Sequence, residues 1–94
     1  MNNIVNSHDN SILGENIRSI RKSLNLTQEE FAEKLNIGSN FLSKVENGKV
    51  GISLDTAIEI CRISNCSSST LFSGVIDSSN TPDNYILLTK EIKL

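Results

Sequence analysis

Residues 28–47 read QEEFAEKLNIGSNFLSKVEN, and the spacing of their apolar side chains decides the fold. Phe31 and Leu35 are four apart, and Leu42 and Val45 are three apart. Both are helical spacings, but the two pairs need different phases on either side of Asn36-Ile37-Gly38. Two short helices joined by a tight turn reconcile them. Thr27 starts the first helix as a hydroxyl N-cap, with Glu30 at the third helical position completing a capping box. Ala32 lies midway along it, where a small side chain admits a close neighbour. Asn36 can take the positive φ that the turn needs, and Gly38 can stand at the next N-cap. Asn47-Gly48 closes the second helix in the manner of a left-handed C-cap.

The flanks extend the pattern. Leu13, Ile17, Ile20 and Leu24 recur at four, three and four, which predicts an amphipathic helix with Arg18, Arg21 and Lys22 on its polar sides. Leu26, just before the Thr27 cap, is placed for a hydrophobic staple. Residues 1–11, rich in Asn and Ser and without periodicity, read as a mobile tail; with no Arg or Lys, they do not read as a minor-groove arm. Residues 49–52 form a loop. Ser53 caps the next helix, with Asp55 favourably placed in its first turn. Leu54, Ala57, Ile58, Ile60, Cys61 and Ile63 then give that helix an apolar band wider than one core face requires. Ser67 caps a last short helix containing Leu71 and Phe72.

The expected architecture is therefore all-α, with five helices at about 12–24, 28–35, 39–46, 53–64 and 68–73. Residues 12–73 form the domain, and 74–94 form a polar connector and a C-terminal extension. Thr81-Pro82-Asp83 is a helix start, and Tyr85, Leu88 and Ile92 share one face of the segment after it. YILL and EIKL are also compatible with strands, but helix is the favoured reading. The sequence stops at Leu94 amid apolar residues with no capping signal, so a truncated chain is expected.

At 94 residues there is room for one small domain. Hydrophobic content of 37% with only 4% aromatic residues leaves the core to aliphatic side chains. No apolar run approaches a membrane span, and the N-terminus lacks the basic start and apolar stretch of a secretory signal, so a cytoplasmic protein is expected. Cys61 and Cys66 are five apart and His8 lies far from both, which fits no metal pair. Both cysteines read as buried small hydrophobes. No His partners a Ser or Cys, no Gly-rich loop cradles phosphate, and no acidic cluster would hold a metal, so neither catalysis nor a cofactor is expected. The net charge of −2 argues against a generally sticky nucleic-acid binder. The charges are unevenly distributed: residues 12–52 carry six Lys or Arg against five Glu, and the remainder three against six acids.

The stretch LGENIRSIRKSLNLTQEEFAEKLNIGSNFLSKVENGK, continued by SLDTAIEICRISNCSSSTLF, resembles the helix-turn-helix of the lambda repressor/Cro-like (XRE-type) DNA-binding family over roughly residues 12–73. LTQEEFAEKL followed at this distance by LSKVENG is far more specific than a bare two-helix pattern. The resemblance implies that Arg21 pairs with Glu46 near the end of the recognition helix, and that Phe41 packs partly against a neighbouring helix. It also implies a DNA-binding set of Thr27, Gln28, Gly38, Ser39, Asn40, Ser43, Lys44 and Lys49. A helix laid in the major groove presents its N-terminal residues to base edges. Asn40 can then bond adenine, Ser39 and Ser43 can donate or accept, and Lys44 can reach a guanine or a phosphate. Gln28 resembles the family glutamine that bonds a phosphate at a helix start, and Lys49 is a second phosphate candidate. Three departures stand out. Gly38 replaces the usual Ser or Thr, Ile52 takes the place of a common Pro, and Ser64 stands where a large aliphatic is usual.

The expected function is a sequence-specific transcriptional regulator that binds a two-fold symmetric DNA operator as a homodimer, since pairing two domains multiplies a modest specificity ratio. Dimerisation is expected through Ile52, Ile63, Tyr85, Leu88 and Ile92. The alternatives are an antitoxin that represses its own operon, a restriction-modification controller protein, or a protein-interaction module that keeps the fold without binding DNA.

Overall fold

The computed structural model describes residues 7–75. They form α1 (Ser7–Ser23), α2 (Gln28–Leu35), α3 (Ser39–Glu46), α4 (Leu54–Ser64) and α5 (Ser68–Leu71), with no strand among the described residues. The expected helices 28–35 and 39–46 coincide with α2 and α3. The sixth element after Thr81 lies outside the described residues, as do Tyr85, Leu88 and Ile92.

One device ends four of the helices. Asn25, Asn36, Gly48 and Asn65 each adopt a left-handed conformation, with φ of 60°, 59°, 77° and 58°. In each case the next amide reaches back to a carbonyl five residues earlier: Leu26 to Arg21, Ile37 to Ala32, Lys49 to Lys44, and Cys66 to Cys61. This is the Schellman closure, which satisfies carbonyls that a helix end otherwise leaves unpaired. The following helix then starts on a side-chain cap at three of the four junctions. Thr27 and Glu30 complete the capping box, and the Ser53 and Ser67 hydroxyls accept from the amides of Thr56 and Thr70. Gly38 occupies the fourth N-cap with no side-chain hydrogen bond.

The first helix departs from expectation. It begins at Ser7, so residues 7–11 are helical where a tail is predicted. No apolar side chain in that segment registers the turn, which is why periodicity misses it. Asp9 in the first turn suits the positive end of the helix dipole. Ser11 lies against the loop after α3: a Cβ on Gly48 would come within 2.8 Å of the Ser11 Cα. Further along α1, a Cβ on Gly14 would meet the Glu46 carbonyl oxygen at 2.9 Å and the Val45 carbonyl oxygen closer still. Gly14 is therefore where α1 and α3 come backbone to backbone.

Leu13, Ile17 and Ile20 from α1 join Phe31, Ala32 and Leu35 from α2, Leu42 and Val45 from α3, Ala57 and Ile60 from α4, and Leu71 in one core. Here α3 packs on α1 and α2, while α5 packs on α1 and α4. Asn16 fastens α1 to the chain beyond α5, with its amide donating to the carbonyls of Leu71 and Ser73 at 2.8 Å each.

The wide apolar band of α4 divides. Ile63, Cys61, Cys66 and Ile52 are half-buried against the core, whereas Leu54 is 75% and Ile58 45% exposed. Of the residues expected at a dimer interface, Ile52 and Ile63 thus spend part of their apolar surface inside their own domain. Ser64, in place of a large aliphatic, turns its hydroxyl onto the Ile60 carbonyl at 2.6 Å, leaving the packing to Ile63 and Cys66. The two thiols are free and sit at the ends of the Asn65 closure. Burial and the neighbouring Cys66 push the Cys61 thiol above its ordinary pKa.

Candidate nucleic-acid interface

The outward side of α3 is defined by what its inward side holds. Leu42, Val45 and Glu46 are buried. With a repeat of 3.6 residues, that commits Asn40, Lys44 and Asn47 to the opposite face, and all three are exposed. Ser39 and Ser43 lie at one edge, half-buried, with Ser39 bordering a groove against Glu29, Ala32 and Glu33 of α2. Gly38 opens the helix into free space, for a Cβ there would meet nothing within 4 Å. Lys49 follows the helix, exposed. The polar residues expected to read bases are therefore brought together on one surface.

Glu46 fixes the angle of that surface. It is 3% exposed and is the only charged residue among the buried side chains described. Arg21 grips it with two hydrogen bonds, Nε to Oε2 at 2.7 Å and Nη2 to Oε1 at 3.1 Å, while its Nη1 donates to the Leu26 carbonyl at 2.9 Å. A planar guanidinium matches a carboxylate in this two-pronged way. Burial pushes the Glu46 carboxyl up, but hydrogen bonds from Arg21 and Gln28 and the charge on Arg21 outweigh it, so the group titrates below its ordinary range. The pair that the resemblance implies is present and ties α1 to α3.

Gln28 opens α2, where it is expected, and also reaches the ion pair. Its side-chain Nε2 donates to Glu46 Oε1 at 3.0 Å, so the amide is already committed to the network that holds α3. What remains for an anion is the second N–H of that amide and the backbone N–H groups that open α2. Thr27 is likewise engaged: its hydroxyl accepts from the Glu30 amide at 3.1 Å as the cap.

Two neighbours of the site escape the sequence reading. The Arg18 guanidinium, 43% exposed, lies 3.5 Å from Glu46 Oε1 and donates to Asn47 Oδ1 at 3.4 Å. It brings a partly solvated positive charge to the edge of the reading surface. Its position three residues before Arg21, on the same helix face, is a signal that could have found it. The other is Phe41, which keeps 39% of its surface exposed, compatible with the expected partial packing, and stands beside the polar residues of the reading surface. Among the described residues, no group of three or more His, Cys, Asp or Glu gathers as a metal site, and no helix is long and apolar enough to cross a membrane.

Comparison with known proteins agrees with this geometry. The Helix-turn-helix family matches residues 17–71. Antitoxin PezA of Streptococcus pneumoniae serotype 4 is 43% identical over 56 residues, 60% of this chain, and the chain spans 35% of the length of that relative. The restriction-modification controller protein C.AhdI of Aeromonas hydrophila superposes with a TM-score of 0.63 at 22% identity, over 68% of this chain and 97% of its own. The clp gene regulator ClgR of Corynebacterium glutamicum gives 0.66 at 20% identity, over 90% and 86%. At these identities the solved structures share the fold. The family match covers more than half of the sequence, so the chain belongs to the helix-turn-helix family of the lambda repressor/Cro-like (XRE) type.

Proposed function

We propose that this protein is a sequence-specific DNA-binding regulator that acts in the cytoplasm, as a homodimer on a two-fold symmetric operator, through binding and without catalysis. The observation that carries the reading is the outward face of α3. Asn40 and Lys44 stand exposed on it with Ser39 and Ser43 at its edge, and a buried bidentate ion pair to α1 sets its orientation. A surface held this rigidly can enter a groove without reorganising, which limits the ordering cost of binding. Asn40 is assigned to an adenine edge, Ser39 and Ser43 to adjacent bases, and Lys44 to a guanine or phosphate. The start of α2 at Thr27 and Gln28, together with Arg18 and Lys49, is assigned to phosphates. Leu54 and Ile58, four residues apart on α4 and exposed, are the apolar surface that a second copy would cover.

The test is selection from a random duplex library followed by gel shift. Enrichment of one inverted repeat supports the reading. Retention of no sequence would favour a protein-interaction module instead, and equal retention of all would mean binding without sequence specificity.

The likeness to an antitoxin favours a second, narrower reading, in which the regulator represses its own operon. If so, the selected sequence should lie in the promoter of the protein's own gene. A selected site found only elsewhere would exclude it.

A further inference from the structure

An exposed aromatic side chain on its own signals nothing; the position of Phe41 does. It occupies the first turn of α3, beside Asn40 and three residues before Lys44, both exposed. Ser39 borders α2, and Ser43, four residues on, shares that edge of the helix; Phe41, two residues from each, lies on the opposite flank. The reading surface therefore has a polar edge and an aromatic edge. The ring keeps 39% of its surface exposed, so part of it stays open along that edge. Against a duplex, this ring meets a restricted choice of chemistry. The base edges of the major groove offer hydrogen-bond donors and acceptors and one apolar group, the C5 methyl of thymine.

We infer that Phe41 is a specificity-determining residue that selects thymine in each half-site by packing its exposed ring against the base's 5-methyl group. The inference rests on the DNA-reading role proposed above and adds what that role leaves open: the identity of one base and the group that chooses it. Asn40 next to it is suited to adenine, so the pair favours an A·T-rich step at the position met by the first turn of α3. A thymine methyl buried against the ring is worth about the same as one buried methylene, so replacing thymine by uracil should weaken binding about fourfold per half-site.

The experiment uses the full chain and the duplex enriched by selection, alongside the same duplex with deoxyuridine for thymine, one position at a time. Deoxyuridine keeps the Watson–Crick and groove hydrogen-bonding groups and removes only the methyl. The parent is expected to bind about fourfold more weakly when one particular thymine in a half-site is replaced. Phe41→Ala is expected to bind both duplexes alike while still rejecting a scrambled sequence. Should Phe41→Ala bind neither duplex, Phe41→Leu decides: a reduced thymine-over-uracil ratio supports the assignment, and an unchanged ratio overturns it. A parent indifferent to every deoxyuridine, or Phe41→Ala with the full discrimination, also overturns it while leaving the DNA-reading role intact. A parent that enriches no sequence removes both.

Discussion

The Glu46 carboxylate receives hydrogen bonds from two helices at once, from Arg21 on α1 and Gln28 on α2. Removing one partner of a buried pair typically costs about 3–5 kcal/mol. Arg21→Met should fall near the lower end, about 3 kcal/mol, because Gln28 and Arg18 still face the carboxylate; thermal unfolding of the variant measures it. The pH dependence follows from the lowered native pKa of Glu46. Its contribution is complete above the ordinary carboxylate range and is lost as the pH falls below that range through the native value. Urea midpoints measured from neutral pH to about pH 3 should therefore fall more steeply for the parent than for Glu46→Gln. On the outward side of the same helix, Asn40→Ala should relax preference at one base position by about 1–3 kcal/mol. Gln28→Ala should weaken binding to all sequences and also lower the unfolding temperature, because its amide serves the Glu46 network. A selection profile for Asn40→Ala identical to the parent's would remove that residue from the reading surface.

At the scale of elements, the turns and the closest helix contact carry the geometry. Asn36 sits at φ 59° between α2 and α3, so a Cβ without a compensating polar side chain is disfavoured there. Asn36→Ala should destabilise by about 1 kcal/mol and Asn36→Gly should be close to neutral. A chemical denaturation series on the two variants separates this backbone effect from a lost side-chain contact, which would penalise both. Gly14→Ala tests the α1–α3 contact. Alanine favours a helix by about 1 kcal/mol over glycine, yet its Cβ would press on the Val45 and Glu46 carbonyls, and overpacking costs about 1–3 kcal/mol. The net expectation is a lower melting temperature and weaker DNA binding, since the displaced partner is the C-terminal end of α3. A higher melting temperature would show that α1 can slide without disturbing the site.

For the whole molecule, the division of apolar surface along α4 makes the prediction. Ile52 and Ile63 pack on their own core, whereas Leu54 and Ile58 face outward. Leu54→Glu combined with Ile58→Glu should convert a dimer to a monomer at micromolar concentration with little change in unfolding temperature. Ile63→Ala should lower stability first. Sedimentation velocity with and without the selected duplex checks this, and a parent that is monomeric in both conditions would defeat the dimer reading. In a two-fold assembly the two α3 helices would lie one DNA turn apart, about 34 Å. The net charge of −2 leaves attraction to phosphate to placed residues such as Arg18, Lys44 and Lys49.

The helix-turn-helix was legible in the residues because its signals are local. Apolar spacing, the Thr27–Glu30 capping box and the Asn36 turn each act within one or two turns of chain, and the structure places α2 and α3 where those signals put them. The same kind of signal was available at Asn25 and Asn65, which end helices as Asn36 does. The polar composition of residues 7–11 hid the first turns of α1, because periodicity detects apolar faces and that segment contains no apolar residue. What the chain could not disclose is whatever depends on residues far apart meeting in space. The tolerance of α1 for α3 at Gly14, the fastening of Asn16 to Leu71, the gathering of Gln28 and Arg18 around Glu46, and the exposure of Phe41 all arise only after packing. Periodicity ranks a side chain as apolar or polar. Which apolar residues find a partner, and which polar ones are drawn inward to serve a buried charge, is decided by the tertiary fold.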